Sequence, residues 1–223
     1  MKKTLRITLI VGVILFVIIL ILLKLGLGLS IFDVFSQKLP ETDTISASNS
    51  YSTQTLLEAD TINVQFQDSY FLKKSSYFEK QDKNQCGGYS SAYVLRYLGE
   101  DIKGKDAYDN LGRKLSNGYV LPQALTDLFS SYGYHSRLYR GDLEQLKMRL
   151  SQGNPIIILI GDKFNWQHYV TVVGYDKDSI YFYDSNKDTD NSKGYNRIMS
   201  STEFIDLWEN EIPLFERIYF VVE

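Results

Sequence analysis

The sequence is poor in the residues that build covalently or metal-stabilised cores: among 223 residues there are one Cys and two His. A lone Cys makes no internal disulfide and no thiolate cluster, and two His leave little room for a His-rich metal centre. Neither a disulfide scaffold nor a metal site is expected, and no motif calls for another cofactor. Cationic surplus is also missing. Lys and Arg number 24 against 27 Asp and Glu, with a net charge of -3 and a pI near 5.5, which argues against a nucleic-acid partner. No internal repeat is found, and no phosphate-binding G-x-x-x-x-G-K-[ST] loop. What the chain does have is 44% hydrophobic residues with 17 Tyr and 12 Phe. That is enough for a core and favours sheet over a helical bundle.

The ends differ in kind. Ile7 to Leu23 carries no charge and is almost entirely Ile, Leu, Val and Phe. As a helix it spans about 26 Å against a hydrocarbon core of about 30 Å. Continuing past Lys24, whose ammonium can snorkel, to Phe32 makes up the shortfall. A secreted signal peptide is the competing reading, but its apolar region runs about 7–15 residues and ends at a small-residue cleavage site. The run here is longer and no such site follows. Residues 1–35 are therefore read as a cytoplasmic tip and an uncleaved transmembrane signal-anchor helix. Lys2, Lys3 and Arg6 precede the run and only Lys24 follows closely, so the positive-inside bias keeps the N-terminus in the cytoplasm and exports the rest. The alternative is secretion after cleavage. The exported part holds 20 basic and 27 acidic residues, about -7. Residues 36–61 are rich in Ser and Thr, contain Pro40 and lack an apolar period, as expected of a flexible stalk. A compact domain follows over residues 62–223.

Within that domain Ile62, Val64 and Phe66 alternate with polar residues, a short strand. A helix is expected from Cys86 to Leu98, stopped by Gly99. A second runs from Leu121 to Tyr132, with Pro122 in its first turn and Gly133 after its end. A third runs from Leu143 to Leu150, capped by Asp142 and closed by Gly153. The run Pro155-Ile156-Ile157-Ile158-Leu159-Ile160 reads as a fully buried strand. Tyr169–Val173 and Ile180–Tyr183 read as two strands joined by the turn residues Asp176-Lys177-Asp178. Glu203–Trp208 is a short helix and Ile218–Val222 a last strand. Helices first and strands second give an α+β domain, helices packed on a C-terminal antiparallel sheet.

The hairpin is the most informative element. With the turn centred on Asp176, Val172 faces Ile180, Val170 faces Phe182 and His168 faces Asp184. Alternation puts all six on one side of the sheet. Opposed Cβ atoms lie about 4.5–5.5 Å apart, within hydrogen-bond reach of an imidazole and a carboxylate. A carboxylate beside an imidazole fixes its tautomer and supports its protonated form, although many strands carry such pairs for structure alone. A nucleophile is available in Cys86, at a helix start where the dipole and unpaired N–H groups lower a thiol pKa. The competing reading is a small buried hydrophobe. Gly87 and Gly88 are expected to leave backbone open to an approaching carbonyl. An oxyanion needs donors: the Cys86 N–H is one, and Gln81, or less favourably Gln85, is a second. Trp166 and Tyr169 flank His168 as specificity candidates or ordinary aromatics, and His135 reads as a surface residue.

The segment Q-D-K-N-Q-C-G-G-Y-S-S-A-Y-V-L-R-Y-L-G, with H-Y-V-T-V-V-G-Y-D-K-D-S-I-Y-F-Y-D-S far downstream, resembles the papain-like cysteine peptidases of the bacteriocin-processing type, family thirty-nine. The resemblance extends from about Phe66 to Val222. It implies the papain-like fold, with Cys86 as nucleophile, His168 as general base, Asp184 as orienting acid and Gln81 in the oxyanion hole. Gly88 stands where Pro is frequent, Gln85 where Asp or Asn is frequent, and Gln81 lies one residue nearer the Cys than in the bacteriocin processors. Without a P-loop, no ABC ATPase is expected in this chain, and an exported domain does not share the cytoplasmic leader peptides of those exporters. The expected function is a membrane-anchored extracytoplasmic cysteine peptidase acting on a peptide or protein substrate. An idle peptide-binding module of the same fold and a thiol-dependent transamidase or amidase remain as alternatives.

Overall fold

A computed structural model of the chain describes residues 21, 37–45, 67–73, 76–212 and 214–223. The strand expected at Ile62–Phe66, and the apolar run of residues 7–23 apart from Ile21, lie outside the described residues. Among the described residues no helix is long and apolar enough to cross a membrane.

Among the described residues there are eight strands and five helices. In chain order they are β1 (Glu41–Thr42), β2 (Tyr70–Phe71), α1 (Cys86–Leu98), α2 (Gly104–Asn110), α3 (Pro122–Ser131), β3 (Ser136–Arg140), α4 (Leu143–Ser151), β4 (Ile156–Asp162), β5 (Trp166–Tyr175), β6 (Ser179–Tyr183), β7 (Arg197–Ser200), α5 (Ser201–Glu209) and β8 (Ile218–Val222). The sheet runs β1-β3-β8-β4-β5-β6-β7, with β2 paired to the far end of β5 where β4 no longer reaches. Every pairing is antiparallel except β1 with β3, which is parallel. The sheet is therefore mixed rather than wholly antiparallel.

Helices cover both faces, not one. Ile157 and Leu159 of β4 join Leu95 of α1, Leu125 and Phe129 of α3 and Phe220 of β8 in one core. Ile156, Ile158 and Ile160 of the same strand join Leu146 of α4, Phe204 and Trp208 of α5 and Val170 of β5 in the other. A strand buried on both sides has no use for a polar alternation, which is why β4 is a continuous apolar run. Helix ends follow their expected signals. Gly99 closes α1 with φ 115°, where a Cβ would strain the backbone. Asp142 accepts from the Gln145 N–H and Gln145 reaches back, a complete capping box on α4. Elements not anticipated were α2, with few buried residues for a stripe, and the short strands β1, β2, β3 and β7.

The predicted β5–β6 register is corrected by two residues. Thr171 pairs with Tyr183 and Val172 with Phe182, then Val173 bulges so that Gly174 meets Tyr181 and Tyr175 meets Ile180. The turn is centred near Lys177 and Asp178 rather than on Asp176, whose N–H donates to the Ser179 carbonyl at 3.0 Å and whose side chain caps the turn. Asp176 Oδ1 accepts from the N–H groups of Asp178 and Ser179, at 2.9 and 2.8 Å. An even shift preserves faces, so Val170, Val172, Ile180 and Phe182 still share one core. The bulged Val173 turns instead toward Tyr93 and Tyr183.

Part of the expected flexible stalk is folded. Glu41 and Thr42 pair with Tyr139 and Arg140, and the buried Asp43 makes a two-pronged ion pair with Arg149 at 2.7 and 2.8 Å. The Tyr219 hydroxyl also donates to Asp43. Burial alone would raise the Asp43 carboxyl pKa, but the Arg149 and Tyr219 hydrogen bonds outweigh it and lower the pKa. The Gln145 side chain that completes the α4 cap donates to the Asp43 carbonyl at 2.6 Å. Ser36–Thr61 is thus interrupted by a strap, residues 37–45, held against the β3 edge.

Candidate active site

The site assembles where the start of α1 meets the ends of β5 and β6. Residues 76–85 lead into α1, and three anchors set their path. Arg96 on the last turn of α1 donates to Glu79 Oε2 at 2.6 Å, to Ser76 Oγ at 2.8 Å and to the Tyr77 carbonyl at 3.0 Å. The Tyr183 hydroxyl at the end of β6 donates to the Glu79 carbonyl at 2.9 Å. The Gln81 N–H donates to the Ser185 carbonyl at 2.9 Å. These bonds tie the approach segment both to the helix it precedes and to the chain that follows β6.

Cys86 is the first residue of α1. Its cap, Gln85, provides no side-chain hydrogen bond, so the helix start keeps unpaired N–H groups around the sulfur. Cys86 is 3% exposed and belongs to the α1–α3 core, yet it lies near enough to the His168 imidazole to help raise that ring's pKa. The glycines after it do a different job from the one expected. A Cβ on Gly88 would lie 2.4 Å from the Tyr108 Cα, and one on Gly104 would lie 2.4 Å from the Tyr89 ring. Reciprocal notches let α1 and α2 touch backbone to backbone. Gly87 is likewise covered by Val120. Neither glycine opens backbone to a substrate.

His168 on β5 is 6% exposed. Its Nε2 meets Asp184 Oδ1 at 2.7 Å. The observed register puts Asp184 diagonal to His168 rather than opposite. Asp184 lies just past the end of β6, where the chain is free to bend toward the ring, and diagonal neighbours remain within reach of long side chains. Burial alone would push the His168 pKa down. Hydrogen bonds with Asp184 and then Cys86 outweigh it and raise the pKa to about 9. Burial likewise opposes ionisation of Asp184, but the hydrogen bond and charge of His168, the Asn186 N–H and Arg197 keep its carboxyl well below the usual carboxylate range.

Three supporting residues had no counterpart in the sequence reading. Arg197 donates to Asp184 Oδ2 at 2.8 Å, occupying the oxygen that His168 leaves open. Asn196 accepts from the Asp184 N–H at 2.7 Å and donates to its carbonyl at 3.0 Å. Asn186 donates its N–H to Asp184 Oδ1 at 2.8 Å, and its side-chain amide lies 3.4 Å from His168 Nε2. The only sequence signal for any of them is the D-S-N order of residues 184–186, a local Asx pattern. Arg197 opens β7 and Asn196 directly precedes it, and no local pattern announces the pairing of that strand.

Gln81, His168 and Asp184 line one cleft of about 320 Å³, together with Trp166, Tyr119 and Asn84 among others. Ser185 Oγ donates to Gln81 Oε1 at 2.5 Å, which leaves the amide NH2 as the free end of that side chain. Gln85 does not line this cleft, and its Oε1 is buried without a partner. Of the two flanking aromatics, Trp166 is 37% exposed at the cleft. Tyr169 is core, its hydroxyl donating to the Val120 carbonyl at 3.3 Å. His135 is exposed, as expected, and only its backbone is engaged, with Glu223. Among the described residues no cluster of His, Cys, Asp and Glu could hold a metal ion.

A family model described as the Peptidase_C39 like family matches residues 61–211. Among solved structures, the chain is similar to the peptidase domain of Streptococcus ComA, a bi-functional ABC transporter involved in a quorum-sensing pathway. The identity is 15%, covering 67% of this chain and 98% of that one, with a TM-score of 0.53. It is similar also to xylellain, a cysteine protease from Xylella fastidiosa, at 10% identity over 82% of this chain and 97% of that one, with a TM-score of 0.50. At these identities the likeness is one of fold. No curated protein matches the chain.

Proposed function

The chain belongs to the Peptidase_C39 like family, and from that premise we propose that it is a membrane-anchored cysteine peptidase cleaving peptide bonds outside the cytoplasm. What supports the chemistry is the His168 ring, hydrogen-bonded to Asp184 at 2.7 Å and held protonated with help from nearby Cys86. A protonated imidazole between a sulfur and a carboxylate favours the thiolate, the form of cysteine that attacks carbonyls. The anchor and the outward orientation rest on the apolar run from Ile7 to Leu23 and the Lys and Arg residues before it.

In this reading the Cys86 thiolate adds to the scissile carbonyl and the C=O electrons move onto oxygen. The Cys86 N–H and the free NH2 of Gln81 stabilise that oxyanion. The tetrahedral intermediate collapses, the C–N bond breaks, and His168 gives its proton to the departing amine. Water then attacks the thioester while His168 takes one of its protons. The acyl group leaves as a carboxylic acid and the thiolate–imidazolium pair is restored. Asp184 keeps the ring in place and supports its charge, with Arg197 and Asn196 fixing Asp184.

Alkylation of the full-length chain near pH 6 is the direct test. Rapid single-site labelling of Cys86 that disappears in His168→Ala is expected. Labelling as slow as that of a free thiol would exclude an activated sulfur. Gln81→Ala should leave the labelling rate unchanged while lowering kcat on a cleaved peptide by about 10²- to 10³-fold, the usual effect of losing one oxyanion donor.

A further inference from the structure

Building on the peptidase reading, we infer that the cleft selects peptides bearing a carboxylate close to the bond to be cut, through Lys83 and Lys187. Both ammonium-bearing residues line the cleft. Lys83 sits on the segment leading into α1, just before Cys86, and Lys187 on the β6–β7 connection, just after Asp184. The other cations there are already matched. Arg197 and His168 share the Asp184 carboxylate. Asp184 is the cleft's only carboxylate. Asp82 and Asp188, the sequence neighbours of the two lysines, do not line the cleft, and neither ammonium has an ion-pair partner among the described residues. Lys83 and Lys187 are thus the uncompensated charges of the site.

The surroundings sharpen the argument. The chain beyond its first 24 residues is acidic by about 7 charges, so two unmatched cations at the cleft run against the charge of the rest of the surface. A basic cleft on an acidic body draws anionic segments to itself at short range, while the remaining surface repels them. A neutral or basic segment would gain nothing from either lysine. The exposed Trp166 supplies an apolar contact alongside, so the favoured peptide pairs an acidic residue with an apolar one.

The test separates binding from turnover. Full-length protein carrying Cys86→Ala, which cannot form an acyl-enzyme, is incubated with a randomised octapeptide pool, and retained peptides are sequenced by mass spectrometry. Asp and Glu should be enriched. Each lysine should contribute about three- to fivefold, the upper range for an exposed charge pair, and the enrichment should shrink in about 0.5 M salt as the charges are screened. Adding Lys83→Gln and Lys187→Gln, both exposed positions, should abolish it while retention of neutral peptides is unchanged. A pool without acidic enrichment, an empty pool, or an enrichment that survives loss of both lysines overturns the inference. If acidic peptides are selected but wild-type protein hydrolyses none of them, the peptidase reading fails and the cleft assignment stands. Hydrolysis without acidic selection sinks the cleft assignment alone.

Discussion

Replacing Asp184 with Asn removes one charge from the site and almost no volume. The amide oxygen can still accept from His168 Nε2, so the ring keeps its orientation while losing the main support for its proton. His168 stands at a pKa of about 9 against an ordinary 6.5, a gap of roughly 3 kcal/mol between its charged and neutral forms. Asp184 is the larger of the two stabilising partners and burial works against the charge. Without Asp184, the pKa should drop by about 1 to 2 units on order-of-magnitude grounds. The acylation step needs His168 protonated, so kcat/KM in the native protein should fall as pH rises through about 9. In Asp184→Asn that alkaline limb should move down toward neutrality, and the pH profile of Cys86 alkylation should move with it. Stability follows the same sign. A group whose pKa is raised by folding contributes fully below its unfolded value near 6.5 and loses that contribution as pH passes about 9. Thermal unfolding between those pH values should therefore show a decline in the native protein that is flatter in the variant. An alkaline limb that stays at about 9 in Asp184→Asn would refute the assignment of Asp184 as the group holding the imidazole proton.

Gly88→Ala sets a Cβ against the Tyr108 backbone and should cost about 1–3 kcal/mol of stability as an overpacked contact, read by urea unfolding. It should also slow Cys86 alkylation, because the start of α1 must shift. Gly99→Ala is the contrast: nothing lies within 4 Å of its Cβ, so the expected penalty is about 1 kcal/mol from its positive φ, with alkylation unchanged. Asp43→Ala leaves Arg149 without its buried partner and should destabilise by about 3 kcal/mol. Limited proteolysis should then cut residues 37–45 at times when the native strap is protected, again with Cys86 alkylation unchanged.

Much of the site was legible because its signals are local. A polar approach followed by Cys-Gly-Gly and a helix ending at Gly99 marks α1 to the residue, and alternation of faces marks β5 and β6. His168 and Asp184 were paired by a register that proved off by two, and the pairing survived because an even slip keeps side chains on their face. What escaped depends on partners distant in sequence. Arg197 reaches Asp184 only once β7 pairs with β6, and a four-residue strand carries too little pattern to predict. Gly88 was misread because the same lack of a side chain serves an open site or a tight helix crossing, and only Tyr108 decides between them. The strap was missed because its polar composition matches a linker, while its attachment comes from backbone pairing with β3 and one buried aspartate.

That attachment changes what a cut in the chain can achieve. Residues 37–45 are fastened to the sheet edge opposite β6 and β7, and β2 is the next element among the described residues. A nick anywhere from 46 to 66 therefore severs the polypeptide without freeing the body from its leading segment. Shedding takes two events, a break in the backbone and the dislodging of Asp43 from its arginine. A clipped molecule keeps its place until the second occurs.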